Sequence, residues 1–239
     1  MMLFGILGLL SADAEAGNRT TNSNGAALSW QQDEIVFKIN PGGKHSLELD
    51  DVSNAILDAA EEWSLEGSWV ELVYAGETDT DIASYEDDDQ VVFFQDDWSG
   101  QDPNLLALTY VWSYGDGEII HFDIAVNTND HQWTASGEPQ KNDLWNAMAH
   151  EFGHALGFDH SEDEEATMYA KTSLGETLKR DLALDDLETF TGLYGGTFPY
   201  TEVSPSGCSS VPAASGWWGL LGLVGLCLRR RGAPSSRRL

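Results

Sequence analysis

The stretch His150-Glu-Phe-Gly-His-Ala-Leu-Gly-Phe-Asp-His160 predicts more about this 239-residue chain than any other segment. His150 and His154 are four positions apart, so on a helix their rings lie on one face, about one turn from each other. Gly157 can adopt left-handed backbone angles, which would end the helix and return the chain. That return would bring His160 in as a third ligand. Three imidazoles leave one position of a tetrahedral Zn²⁺ open, as in a catalytic site.

Glu151 is the candidate catalytic residue of this zinc site. It is rotated by about 100° around the helix from His150, which places it poorly as a ligand but within reach of a water at the open position. The pattern therefore predicts one catalytic Zn²⁺ and a general base for hydrolysis. Histidines without a metal are one alternative. A zinc site that has lost its activity is another, and the intact Glu151 argues against it.

The eleven residues resemble the zinc signature of the metzincin peptidases, and Thr167-Met168-Tyr169 resembles the methionine turn that follows it. Ser161 after the third histidine, together with the Met-Tyr pair, is similar to the matrixin branch, the matrix metalloproteinase type. Ala170 stands where astacins and serralysins usually carry tyrosine, so we assign no tyrosine ligand. The resemblance implies a zinc metalloendopeptidase in which Met168 forms an apolar floor under the histidines.

Residues 28–196 resemble a matrixin catalytic domain, which implies an α+β fold, and the residue patterns within them predict its strands and helices. The expected strands are 35–40, 70–74, 91–95, 105–113 and 118–127, and the expected helices are 51–64, 142–156 and 184–193. Asp50 or Asp51 is the expected N-cap of the first helix, and Asn142 that of the second. This order is similar to a matrixin catalytic domain. The resemblance implies a metzincin (zincin-like) fold: a twisted, mostly parallel sheet of about five strands with one antiparallel edge strand, plus three helices.

The chain is strongly acidic outside its C-terminal tail. Its first 202 residues carry forty acidic and seven basic side chains, and residues 203–239 carry five arginines and no acid. This balance argues against nucleic acid as a partner, because phosphate binding needs a basic surface. The acids form a soluble, self-repelling surface or, alternatively, bind Ca²⁺ through their oxygens. Candidate loop acids for calcium are Asp79, Asp81, Glu86–Asp89 and Asp96–Asp97.

The matrixin resemblance also implies where a protein or peptide substrate binds. An extended peptide would add to the edge strand around residues 106–109, with Leu106, Ala107 and Leu108 as candidate contacts. Tyr169, within 169–174, would line the pocket for the side chain after the cut bond. Two other functions stay open, namely a surface-anchored binding protein with a vestigial zinc site and a zinc amidase acting on cell-wall linkages. We expect a monomer.

His121 lies where animal matrixins place one ligand of a structural zinc. The partner histidines are not found nearby, so we predict no second zinc and interpret His121 as a strand-surface or hydrogen-bonded histidine. Both cysteines, Cys208 and Cys227, fall in the tail. The cysteine-based latency of the family is therefore expected to be absent.

The terminal segments predict an exported protein. Residues 1–16 are typical of a signal peptide and 17–27 of a linker. Residues 197–211 form a Ser/Pro/Gly-rich linker with Cys208, and 212–239 combine an apolar stretch with an arginine cluster. This tail resembles the myxobacterial type of C-terminal sorting tag, and a permanent membrane anchor is the alternative. Both imply secretion or retention at the bacterial cell surface or outer membrane, with membrane contact through the tail only.

Overall fold

A computed structural model describes residues 18–196 of the chain. Its strands and helices are β1 (Glu34–Ile39), α1 (Leu49–Glu61), β2 (Glu71–Glu77), β3 (Val91–Gln95), β4 (Ala107–Ser113), β5 (Ile119–Asn127), β6 (Trp133–Thr134), β7 (Asn142–Asp143), α2 (Leu144–Ala155) and α3 (Leu184–Tyr194). The predicted signal peptide (1–16), the second linker (197–211) and the segment with the apolar stretch and arginine cluster (212–239) lie outside the described residues. Within 18–196, no helix is long and apolar enough to cross a membrane.

Five strands form the main sheet in the order β2-β1-β3-β5-β4. The first four are parallel neighbours, and β4 runs antiparallel to β5 at one edge. This arrangement, with three α-helices, confirms the predicted fold class. β5 lies at an inner position and is almost entirely buried, as expected for a strand covered on both faces.

The two faces of the sheet carry different clusters of apolar side chains. On the helix side, Phe122 and Ile124 of β5 join the large core that includes α1 and α2. On the other side, which we call the outer face, Val91, Phe93 and Ala125 pack with Trp98 in a smaller cluster. Because side chains alternate along a strand, consecutive residues of β4 and β5 contribute to opposite faces. This alternation decides which side chains of β4 can reach α2.

Both predicted helix caps were wrong by one or a few residues. α1 begins at Leu49 after Glu48, whose side chain makes no capping hydrogen bond, and Asp50 lies inside the first turn. There its charge is favourable to the helix dipole without being a cap. At α2 the N-cap is Asp143, whose carboxylate accepts the N–H of Asn146 at 3.0 Å, while the predicted cap Asn142 lies in β7.

The segment predicted as a linker lies against the domain where it is described. Arg19 pairs with Phe158 in an isolated bridge, and its guanidinium donates to the carbonyl of Leu28 at 2.7 Å. The backbone N–H of Thr20 donates to Gly157 at 3.0 Å. Residues 18–20 are therefore held beside the chain that follows α2, because their backbone groups find partners there.

Candidate metal centre

α2 and the turn after it place the three predicted histidines. His150 and His154 project from the last two turns of α2, which ends at Ala155. Gly157 follows with φ of +92°, and a side chain there would lie 2.9 Å from the carbonyl oxygen of Leu28. The positive φ and the close backbone both require glycine, and they return the chain toward His160.

The three rings meet at one point. The ring centroids of His150, His154 and His160 lie 4.7 to 5.2 Å apart. Each ring offers one nitrogen, and these three nitrogens lie within 4.8 Å of one another. Within residues 18–196 this is the group of three or more histidine, cysteine, aspartate or glutamate side chains that could hold a metal. The sequence-predicted ligands are therefore brought together.

Hydrogen bonds fix which nitrogen of two rings is available. Nδ1 of His150 donates to the carbonyl of Thr167 at 2.7 Å, and Nδ1 of His154 donates to the carbonyl of Phe158 at 2.8 Å. A carbonyl only accepts, so Nδ1 carries the proton and Nε2 is the nitrogen available to a metal. Burial lowers the pKa of His150, His154 and His160, which favours the neutral form that binds metals.

Glu151 is buried beside this group, with 8% of its surface exposed. Its Oε2 accepts a hydrogen bond from the hydroxyl of Thr109 on β4 at 2.5 Å, and the same hydroxyl lies 3.2 Å from the main-chain oxygen of Glu151. Burial raises the pKa of Glu151 to about 7, and the hydrogen bond from Thr109 and the charge of His160 oppose the rise. A carboxyl group with such a pKa can both accept and return a proton near neutral pH.

The turn that contains Met168 lies against α2. Met168 is buried, and a side chain at Gly153 on α2 would overlap its sulfur. The turn is held by Asp186 of α3, whose carboxylate accepts the backbone N–H of Thr167 at 2.7 Å and of Met168 at 3.0 Å, and also that of Ala183. Sequence reasoning did not find Thr109, Gly153 or Asp186 in these roles, because their contacts join distant parts of the chain.

The structure places the predicted substrate-binding residues on or next to β4 and directly after Met168. Ala107 and Leu108 lie on β4, the edge strand, and Leu106 directly precedes it. Ala107 is buried on the helix side, whereas Leu108 packs against the cluster on the outer face. Tyr169 follows Met168 and is partly buried. Their roles in binding a substrate remain predictions.

His121 lies on the outer face, away from the metal centre. It is buried, and its Nε2 donates to Oδ2 of Asp123 at 3.3 Å, so it is the hydrogen-bonded histidine of the two predicted options. Among the candidate calcium ligands, Asp89 forms an ion pair with Lys38, and Asp96 accepts hydrogen bonds from Lys44 and Thr128. Calcium binding by these acids remains a prediction.

A three-histidine centre with one buried acid beside it, on this α+β fold, defines the class of zinc metallohydrolases. The donor set fits zinc because three neutral imidazoles converge and two of them are oriented by backbone carbonyls.

Comparison with known proteins narrows this class. The sequence profile of the Matrixin family, Peptidase_M10, matches residues 29–195. Neutrophil collagenase of Homo sapiens is 31% identical over 180 residues, covering 74% of this chain and 36% of that protein. Interstitial collagenase of Oryctolagus cuniculus is 28% identical over 171 residues (70% and 33%), and matrilysin of Homo sapiens is 36% identical over 92 residues (38% and 32%). The chain spans about a third of the length of these relatives.

The profile match covers more than half of the chain, and the chain therefore belongs to the matrixin family of zinc metalloproteases. Matrixins use a catalytic zinc ion, and calcium is also common among them.

Proposed function

We propose that this protein is a metalloendopeptidase that hydrolyses peptide bonds in extracellular proteins, with Glu151 as its catalytic base. The observation that carries the proposal is the convergence of His150, His154 and His160 with the buried carboxyl group of Glu151 directly beside them. Three neutral imidazoles and an acid that can take up a proton near pH 7 are the groups that metal-assisted hydrolysis requires.

The three histidines, Glu151 and two main-chain carbonyls have separate roles in the proposed reaction. His150, His154 and His160 hold zinc, which when bound polarises the carbonyl of the peptide and makes water more acidic. Glu151 accepts the proton of the attacking water and returns it to the nitrogen of the leaving amine. Thr167 and Phe158 orient two of the rings through their carbonyls.

Substrate binding follows from the free edge of β4. An extended peptide adds to an exposed strand by main-chain hydrogen bonds, and within the described residues β4 pairs with β5 alone. We place the peptide along Leu106, Ala107 and Leu108, with the side chain after the cut bond near Tyr169. The acidic surface favours neutral or basic substrates, an attraction that salt would screen.

Export and retention at the bacterial cell surface are part of the proposal. They are supported by the apolar residues 1–10 with the small residues after them, and by the apolar stretch 217–228 followed by Arg229–Arg231. The tail is proposed as a sorting tag.

The test is hydrolysis of casein by the zinc-loaded protein, with and without a chelator, beside the variant Glu151→Gln. We expect cleavage that stops on chelation and returns with zinc. The variant should retain one zinc per chain and lose about 10³-fold in kcat, since general acid–base catalysis contributes about 10²–10⁴. Glu188→Gln, at an exposed position of α3, is the matched control and should match the parent.

Two outcomes overturn the proposal. A zinc-loaded parent that cleaves no protein substrate supports a binding protein with a vestigial site. A parent that releases amines from cell-wall peptides but leaves casein intact supports a zinc amidase.

A further inference from the structure

We infer that Thr109 is a positioning residue for catalysis, which holds the carboxyl group of Glu151 by one oxygen so that the other faces the reaction. The inference rests on the proposed function, because it assigns a role to a residue in the same site. Nothing in the zinc signature points to Thr109, which lies 42 positions before Glu151 and on another element.

The hydroxyl group of Thr109 lies within hydrogen-bond distance of two oxygens of Glu151. Oγ1 of Thr109 lies 2.5 Å from Oε2 of Glu151 and 3.2 Å from the main-chain oxygen of the same residue. Both are acceptors, so the hydroxyl is the donor when the carboxyl group is ionised, and the short distance is typical of a charge-assisted bond. Among the described residues, Thr109 provides the side-chain hydrogen bond to this carboxyl group.

Strand β4 directs the side chain of Thr109 toward α2. Ala107 and Val111, two positions away on either side, belong to the core on the helix side of β4, so Thr109 faces α2 as they do. Pairing of Thr109 with Ile124 of β5 fixes its height along the sheet. The branched side chain has restricted χ1 freedom, which suits a hydroxyl that must keep one direction.

The hydrogen bond from Thr109 determines which oxygen of Glu151 takes up a proton. With Oε2 engaged by Thr109, Oε1 is the oxygen that takes the proton of the attacking water. The bond to Thr109 persists when Oε1 is protonated, because Oε2 then remains an acceptor. The carboxyl group therefore keeps its place through both halves of the proton transfer, and no reorganisation is required between them.

The hydroxyl also links substrate binding to catalysis. Thr109 lies on the strand at whose free edge we place the peptide, and its side chain contacts the acid that acts on that peptide. One residue of β4 thus sets the distance between the bound main chain and the base.

The experiment compares Thr109→Val, which removes the hydroxyl at nearly constant volume, with Thr109→Ser, which keeps it. For Thr109→Val we expect kcat on a peptide substrate to fall by about 10–10²-fold, with KM within about twofold of the parent and one zinc per chain. Thr109→Ser should recover kcat to within about threefold. In a Glu151→Gln background, Thr109→Val should cause no further loss, because the hydroxyl acts through that carboxyl group.

The matched control is Thr128→Val. The Thr128 hydroxyl also lies between a main-chain oxygen, that of Gln95 at 3.1 Å, and a carboxylate, that of Asp96 at 3.0 Å, but away from the metal centre. Its removal should leave kcat unchanged. If Thr109→Val does not fold, Thr109→Ala measured against Thr109→Ser gives the same comparison.

The outcomes separate this inference from the proposed function. A parent without chelator-sensitive peptidase activity overturns both. An active parent with an equally active, zinc-loaded Thr109→Val overturns the role of Thr109 alone, as does a serine variant no better than valine.

Discussion

Two groups of histidine and acid lie on opposite sides of the same sheet, and they differ in burial and in what their polar atoms contact. His121 and Asp123 are buried, whereas His150 and His154 are partly buried and His160 is exposed. On the outer face, His121 donates to Asp123, which also accepts the backbone N–H groups of Ser84 and Val91. At the metal centre, the bonds to carbonyls use Nδ1 of His150 and His154 and leave Nε2 for a metal. Burial alone therefore does not mark a functional site.

The difference teaches how to separate structural from functional histidines. Burying a polar group costs free energy unless the group has a hydrogen-bond partner. A buried group whose partners all come from the protein therefore needs no ligand to account for it. Nitrogens that converge on one another, with the opposite nitrogen of two of the rings bonded to a backbone carbonyl, are arranged to bind an external partner. By this criterion we expect His121 to stabilise the fold, and His150, His154 and His160 to bind the metal.

The largest expected effect comes from substituting one histidine in each of the two groups. His154→Ala should lose its zinc and reduce kcat/KM by at least about 10³-fold, or about 4 kcal/mol of transition-state stabilisation. His121→Asn should keep one zinc per chain and activity within about threefold of the parent. Metal analysis and peptide hydrolysis check both. Loss of stoichiometric zinc in the His121 variant would contradict the comparison.

Sequence reasoning succeeded where the signal is local. The helical spacing of His150 and His154 and the glycine turn before His160 predicted the cluster, because both are set by a few consecutive residues. The fold class was also predictable, because the order of the predicted strands and helices resembles that of a matrixin catalytic domain. The residues at which helices and strands begin and end were less predictable. Asp143 rather than Asn142 caps α2, because the choice depends on which side chain reaches the N–H of Asn146.

Contacts between distant elements could not be predicted from spacing. The hydrogen bond from Thr109 to Glu151 exists because the register of β4 against β5 turns that residue toward α2. Asp186 reaches the methionine turn from α3, 18 positions after Met168. A one-residue shift in register would reverse the faces of β4, so the contact depends on how β4 pairs with β5 and not on spacing along the chain.

The second prediction concerns alanine substitutions of Asp186 and Asp123, two buried acids that accept hydrogen bonds from backbone N–H groups. Asp186→Ala leaves the N–H groups of Thr167, Met168 and Ala183 without their acceptor, and we expect a loss of about 3 kcal/mol in the free energy of unfolding. Zinc should also bind more weakly, because the carbonyl of Thr167 orients His150. Urea unfolding and competition with a chelator measure the two effects.

Asp123→Ala is the matched variant on the outer face. It removes the acceptor of two backbone N–H groups and of His121, so we expect about 2 kcal/mol of destabilisation. Zinc affinity should remain that of the parent. Equal losses of zinc affinity in the two variants would show that the methionine turn is not specifically supported by Asp186.

The smallest effect tests how closely Met168 packs against α2. A methyl group at Gly153 would overlap the sulfur of Met168 and lie 2.9 Å from Trp63, whereas one at Gly192 on α3 has no heavy atom within 4 Å. Gly153→Ala should therefore destabilise the zinc-free protein by about 2 kcal/mol through overpacking, although alanine favours a helix. Gly192→Ala should stabilise it by up to about 1 kcal/mol, because only the helix propensity changes. Thermal unfolding in the presence of a chelator measures both. A stabilised Gly153 variant would mean that Met168 can move aside, and the methionine would then be a loosely packed neighbour of α2 instead of the apolar floor that the matrixin resemblance implies.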